Sequence, residues 1–246
     1  MDINAARQHL RVLGGKRIFF GHQSVGFDVM RGVRALAEEA GAAEAPRFVE
    51  GDATPASAGS WFAHGRIGRN GHPDEKCDAF TETVHRLAHD SLDIALMKFC
   101  YADIGPSTDP GEVFDRYART IDSLRRAFPR TRIIAATIPY TIITPRWKRT
   151  LKRILGRNDT SIAANLRRSA FNAHVVRTYG AGPLFDIARV ESTHPDGTRE
   201  CSVAGGDTAY GLDGRYTTDG GHLNPDGSRR AAMELLRALA EAAAHE

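Results

Sequence analysis

Three side chains of the types that acyl transfer needs occur in two segments almost two hundred positions apart. The first segment is RIFFGHQSVGFDVM, Arg17 to Met30, in which an apolar run stops at a glycine and His22, Gln23 and Ser24 follow at once. The second is TTDGGHLNPDG, Thr217 to Gly227, with Asp219 three residues before His222 in a glycine-containing turn. A serine that attacks an acyl carbon needs a base to take its proton, and the base needs an acceptor that orients it. An Asp-x-x-His turn can set carboxylate against imidazole by local geometry alone. Ser24, just past a strand and at the first turn of a helix, would have backbone N–H groups beside it that can stabilise an oxyanion. Each residue also has a plainer reading. Ser24 can be an N-cap, Asp219 ordinary turn chemistry, and His222 a residue that satisfies a helix start.

The elements that would carry these segments can be read from periodicity. KRIFF (16–20) is a short buried strand, and Val29, Val33 and Leu36 recur at helical spacing up to a stop at Gly41. Arg47 to Val49 is a second strand. Residues 51–73 read as a long structureless loop, rich in Gly, Ala, Ser, His and Asn. Helix is expected over 78–89, 110–128, 161–179 and from about Pro225, with strands over 92–99, 132–138 and 183–187. Residues 191–221 read as irregular. Short, continuous apolar strands alternating with helices predict a three-layer α/β/α sandwich with a mostly parallel sheet, in one domain over 1–246. In such sheets ligands sit at the carboxyl ends of the strands, where GHQS and KFCYAD (98–103) fall, with the 217–227 segment just before the last helix.

Composition narrows the function without choosing it. Apolar residues are 41% and charged residues 26% of the 246, with a net charge of +3, which gives no ground for nucleic-acid binding. No run is long and apolar enough to span a bilayer, and the first residues lack the pattern of a signal peptide, so a cytoplasmic protein without stable membrane insertion is expected. Cys77, Cys100 and Cys201 form no CxxC pair, and the histidines form no HExxH. No metal or organic cofactor is expected. A metal-dependent hydrolase using His22, His64, His72 or His222 with Asp219 is a weaker reading, since the spacing matches no zinc pattern. The stretch 145–157 carries six basic residues and no acid, with Trp147, Leu151 and Ile154 on one helical face. It reads as an exposed amphipathic insertion or a lid. Arg167, Arg168 and Asn172 read as a solvated helix face. Lys98, inside an apolar strand, can bind an anionic substrate group, or form a structural ion pair with Asp103, or face water at an edge.

A serine after the first strand and an Asp-x-x-His before the last helix resemble the SGNH/GDSL hydrolases. DGGHLNPDG is similar to their last motif block and TIPYT (137–141) to their proline segment after a strand. The resemblance covers most of the chain. It implies a flavodoxin-like sandwich and ester hydrolysis, with Ser24 as nucleophile, His222 as base and Asp219 as its partner. Two blocks depart from the pattern. GHQS stands where Gly-Asp-Ser is usual. CYAD stands where Gly-x-Asn-Asp is usual, so Cys100 replaces the glycine and Ala102 the asparagine that donates to the oxyanion. In HGRIGRNGHP (64–73), Gly68 fits the second-block glycine and Asn70 can supply the missing amide. Asn70 can equally be a turn residue before Gly71. His22 and Gln23 would sit at the rim of the same pocket, binding substrate or holding the turn; His22 as the base itself is less suited, being tied by the turn that holds Ser24. The implied substrate is a small-molecule or carbohydrate ester with a short acyl group. Acyl transfer to an alcohol, or an inactive binding protein on this scaffold, are the alternatives; the oligomeric state is left open.

Overall fold

The computed structural model describes residues 2–51, 59–88, 92–145, 154 and 159–244. Six strands form one parallel sheet: β1 Arg17–His22, β2 Arg47–Glu50, β3 Trp61–Arg66, β4 Ile94–Met97, β5 Arg132–Ala136 and β6 Leu184–Phe185, in the order β2-β3-β1-β4-β5-β6. The helices are α1 Ile3–Leu13, α2 Ser24–Glu39, α3 Pro73–Ala88, α4 Pro110–Ala127, α5 Ser161–Tyr179, α6 Ile187–Ser192 and α7 Pro225–Ala244.

Alternation along each strand divides the core into two layers. Ile18, Phe20, Ile94, Leu96 and Ile134 face α1, α2 and α7, where Leu10, Val29, Val33, Leu235 and Leu239 meet them. Phe19, Ala95, Met97 and Ile133 face α3, α4 and α5, where Phe80, Tyr117, Ile121 and Phe171 meet them. The three-layer α/β/α sandwich with a parallel sheet is therefore observed. From β1 the chain runs to β2 and β3 on one side and to β4 on the other. Such a reversal opens a crevice at the carboxyl end of β1, where Ser24 lies.

Local chemistry sets several boundaries. Asp2 caps α1 by accepting from the N–H groups of Asn4 and Ala5, and Asp109 caps α4 ahead of Pro110. Gly41, at φ +57°, closes the turn after α2.

Four expectations need correction. The loop expected over 51–73 contains β3, five of whose six residues are buried between β1 and β2; its residues 52–58 lie outside the described ones. The helix expected from residue 78 begins at Pro73. The irregular segment 191–221 holds an antiparallel hairpin, β7 Cys201–Ala204 with β8 Asp207–Tyr210. Helix α1 was not expected; it packs Leu10 and Leu13 into the first layer. Of the basic stretch 145–157, only Pro145 and the exposed Ile154 are described.

Candidate active site

Strand β1 ends at His22, Gln23 occupies the cap position, and Ser24 is the first residue of α2. No side chain caps this helix, and among the described residues no hydrogen bond takes up the Ser24 N–H. Ser24 is thus not an N-cap. Its hydroxyl stands at an open helix N-terminus, the place where backbone N–H groups favour negative charge.

His222 reaches this hydroxyl from the far end of the chain, with Nε2 3.0 Å from Ser24 Oγ. Its Nδ1 lies 2.6 Å from Asp219 Oδ2. The arrangement assigns the proton to Nδ1, donated to the carboxylate, and leaves Nε2 to accept from the serine. The other carboxylate oxygen, Oδ1, accepts the N–H groups of Gly221 and His222 at 2.9 and 2.8 Å. These contacts, first the imidazole and then the two amides, hold the Asp219 carboxyl far below the usual carboxylate range.

The turn that makes this possible is built tightly. Gly220 has φ +91°, a region that disfavours any residue with a Cβ, and Ile142 packs against it. The Ile142 N–H donates to Gly220 O at 2.9 Å, so the TIPYT segment leads into a direct support of the Asp-x-x-His turn. Helix α5 supports that segment in turn: Asn172 bonds both backbone groups of Ile138, and Arg168 bonds Thr141, Asn165 and the carbonyls of Tyr101 and Ile104. Arg168 and Asn172 are buried and only Arg167 is exposed, so the solvated face expected there is overturned. Burial is possible for Arg168 because backbone carbonyls and side-chain oxygens take its N–H groups.

His22 and Gln23 do not line a pocket rim. His22 is fully buried. Its Nδ1 donates to Gln23 O at 2.8 Å, its Nε2 lies 3.0 Å from His64 Nδ1, and its ring sits where a Cβ on Gly26 would be, at 2.1 Å. Desolvation pushes its pKa down to about 3, and burial pushes that of His64 down to about 4, so both rings are neutral near pH 7. Gln23 spends its amide nitrogen on two carbonyls, Ile67 O and Gly68 O, both at 2.7 Å. The residue before Ser24 therefore straps down the loop that carries Gly68 and Asn70. Lys98 is also fully buried, donating to Phe99 O at 3.1 Å, and does not face water at an edge; burial lowers its pKa. Asp103 pairs with Lys76 rather than Lys98, at 2.5 Å.

That buried pair gives Asn70 its orientation. Lys76 Nζ donates to Asn70 Oδ1 at 3.0 Å, while Asp103 Oδ1 accepts from Gly71 N–H at 2.8 Å. With the oxygen of its amide engaged, the exposed Asn70 has Nδ2 left to offer. Gly68 has φ +52° and lies against the first turn of α3, where a Cβ would meet Lys76 N at 2.7 Å.

Lys76, Asp28 and Tyr101 were missed by sequence reading. Asp28 Oδ2 accepts the N–H of Leu223, next to His222, at 3.0 Å and so ties the histidine's loop to the helix of Ser24. An acid one turn after Ser24 amid apolar residues, VGFDVM, was the available sign. Tyr101 packs on Gly221, its ring centroid 6.2 Å from that of His222. Nothing in the spacing marked Lys76. Among the described residues no group of three or more His, Cys, Asp or Glu gathers to hold a metal ion, and no helix is long and apolar enough to cross a membrane.

No protein-family model and no curated protein matches the sequence. Solved structures do. A proposed platelet activating factor from Streptococcus pneumoniae is 17% identical over 96% of this chain and 92% of that chain, with a TM-score of 0.51. A proposed SGNH hydrolase from Slackia heliotrinireducens is 22% identical over 91% and 98%, with a TM-score of 0.48. The periplasmic domain of a lipopolysaccharide acetyltransferase from Salmonella Paratyphi A is 14% identical over 94% and 86%, with a TM-score of 0.47. Layers and strand order make the fold a three-layer α/β/α sandwich on a parallel sheet, and at these identities the likeness is one of fold alone.

Proposed function

We propose that the chain is a serine esterase that forms an acyl-enzyme on Ser24. The observation that supports this reading most is the bridge made by His222, whose two ring nitrogens lie 3.0 Å from the Ser24 hydroxyl and 2.6 Å from the Asp219 carboxylate. Ser24 Oγ attacks the acyl carbon while its proton passes to His222 Nε2. The carbonyl oxygen takes the negative charge, facing the N–H groups of Ser24 and Gly68 and the Asn70 amide. The C–O bond to the alcohol then breaks, and the alkoxide leaves with the proton from His222. Water, or an acceptor alcohol in the transferase variant, repeats the sequence to release the acyl group. Asp219 stays ionised and holds the imidazole tautomer. The substrate proposed is a short acyl ester of a small molecule or carbohydrate.

A fluorophosphonate probe tests the reading, because it labels only an activated serine. The folded protein is expected to label, and Ser24→Ala to lose the label entirely. A folded parent that never labels, or a Ser24→Ala protein that labels as well as its parent, removes the enzyme and leaves a binding protein on this scaffold.

A further inference from the structure

Ser24, Phe27, Arg31 and Arg34 share one face of α2 by their spacing of three, seven and ten residues. They are exposed or half-buried, whereas Val25, Val29, Val33 and Leu36 on the other side enter the core. Phe27, one turn from the nucleophile, begins a cavity of about 370 Å³ whose wall includes Arg31, Arg34, Glu50, His64 and Arg66. Arg31 is matched by Asp28. Arg34 and Arg66 are not matched: among the described residues neither has a carboxylate within ion-pair distance, and Glu50 reaches neither. Each guanidinium instead lies over a ring, Arg66 5.4 Å from the Phe27 centroid and Arg34 5.5 Å from that of Phe48.

Arg34 is also held from beneath. It approaches His64 Nε2 at 3.5 Å; His64 Nδ1 lies 3.0 Å from His22 Nε2; and His22 Nδ1 lies 2.8 Å from Gln23 O. One set of protons satisfies the whole row: Arg34 donates to His64, His64 to His22, and His22 to the carbonyl before Ser24. Both imidazoles are buried. The row connects the exposed arginine to the turn before Ser24 and leaves the rest of its planar fork for a ligand oxyanion. The half-buried Phe27 ring lies between, with the Arg66 guanidinium over it.

We propose that this cavity binds an anionic group of the substrate, so that the preferred esters carry a carboxylate or a phosphate at a distance from the reacting carbonyl. The span from Ser24 to Arg34 is about 15 Å along the helix, and arginine side chains shorten it by several ångströms. An acyl chain or leaving group of a few carbons bridges it. The proposal rests on the esterase reading for the position of the carbonyl, but not for the anion site itself.

Two measurements separate the two ideas. In the first, inorganic phosphate and glutarate are added to the Ser24→Ala protein at ionic strength matched with sodium chloride, and the melting temperature is followed. A rise that is lost in Arg34→Gln and in Arg66→Ala supports the site; a rise with phosphate alone assigns a phosphate, and with glutarate alone a carboxylate. No rise with either anion, or an equal loss in Arg177→Ala on the far helix α5, overturns it. In the second, kcat/KM is compared for 4-nitrophenyl butyrate and the mono-4-nitrophenyl ester of glutarate. The anionic ester is expected to be preferred at least tenfold, and the ratio to fall toward one in Arg34→Gln and Arg66→Ala. Hydrolysis of both esters at equal rates overturns the anion site and spares the esterase. Anion-dependent melting without hydrolysis of either ester spares the site and overturns the esterase.

Discussion

Asn70 has one oxygen and one nitrogen to offer, and Lys76 takes the oxygen. This contact decides how the residue can be tested. Asn70→Ala removes the donor proposed for the oxyanion, and loss of one such donor typically costs about 2.7–4 kcal/mol, or 10²–10³ in kcat. Alanine also leaves Lys76 short of a partner, so a fall in activity alone is ambiguous. Asn70→Asp resolves it. The aspartate keeps an oxygen for the Lys76 ammonium, yet it places a carboxylate where the developing oxyanion needs an N–H. The expected result is a protein that melts no lower than its parent but whose kcat on a 4-nitrophenyl ester falls at least as far as that of the alanine variant. Turnover within a few-fold of the parent removes Asn70 from the oxyanion site.

At the scale of elements, two loops from opposite ends of the chain must be registered on α2. Asp28 does this by accepting the Leu223 N–H one residue beyond His222. A buried hydrogen bond to a charged group is worth about 1.5–3 kcal/mol. Asp28→Ala is therefore expected to lower kcat on an aryl ester by an order of magnitude or more with little change in KM. Asp28→Asn retains an acceptor oxygen and is expected to recover most of the loss; equal defects in both variants, or none, remove the registering role. The same scale explains what could be read from sequence. The contacts among Ser24, His222 and Asp219 were legible because each part is local: a strand-to-helix turn presents Ser24, and a four-residue turn couples Asp219 to His222. Strand β3 was not, because WFAHGR shows no clear alternation and owes its burial to the strands paired on either side. Lys76, Arg168 and Asn172 were not either. A charged or amide side chain reads as solvated until its partners are known, and these partners lie 27 to 67 positions away: Asp103, Tyr101, Ile104, Thr141 and Ile138.

At the scale of the whole molecule, the carboxyl of Glu191 joins segments that are distant in sequence. Its Oε1 accepts the Tyr140 N–H after β5, its backbone carbonyl accepts the Asp213 N–H that leads toward the turn of Asp219 and His222, and Lys98 acts on it from the central strand's end. Oε2 has no hydrogen-bond partner among the described residues. Burial pushes the Glu191 pKa up to about 8, with Tyr140, Lys98 and Arg168 pulling it down and Asp186 pushing it further up. The sign of the consequence follows from linkage. The folded state holds a proton that the unfolded chain releases near pH 4.5, so this contribution is complete below that pH and is lost as pH rises toward 8. The buried Lys98, with its lowered pKa, runs the opposite way, and the parent's own pH profile sums the two. A difference between proteins isolates the glutamate. Glu191→Gln keeps an acceptor for Tyr140 and has nothing to ionise. Its melting temperature relative to the parent is expected to rise steadily between pH 5.5 and 8.5, by an amount on the order of 3 kcal/mol of stability over that range. Thermal melts in matched buffers measure it, and a difference that stays flat across those pH values means that Glu191 is ionised in the folded protein and that the Lys98 charge balances it.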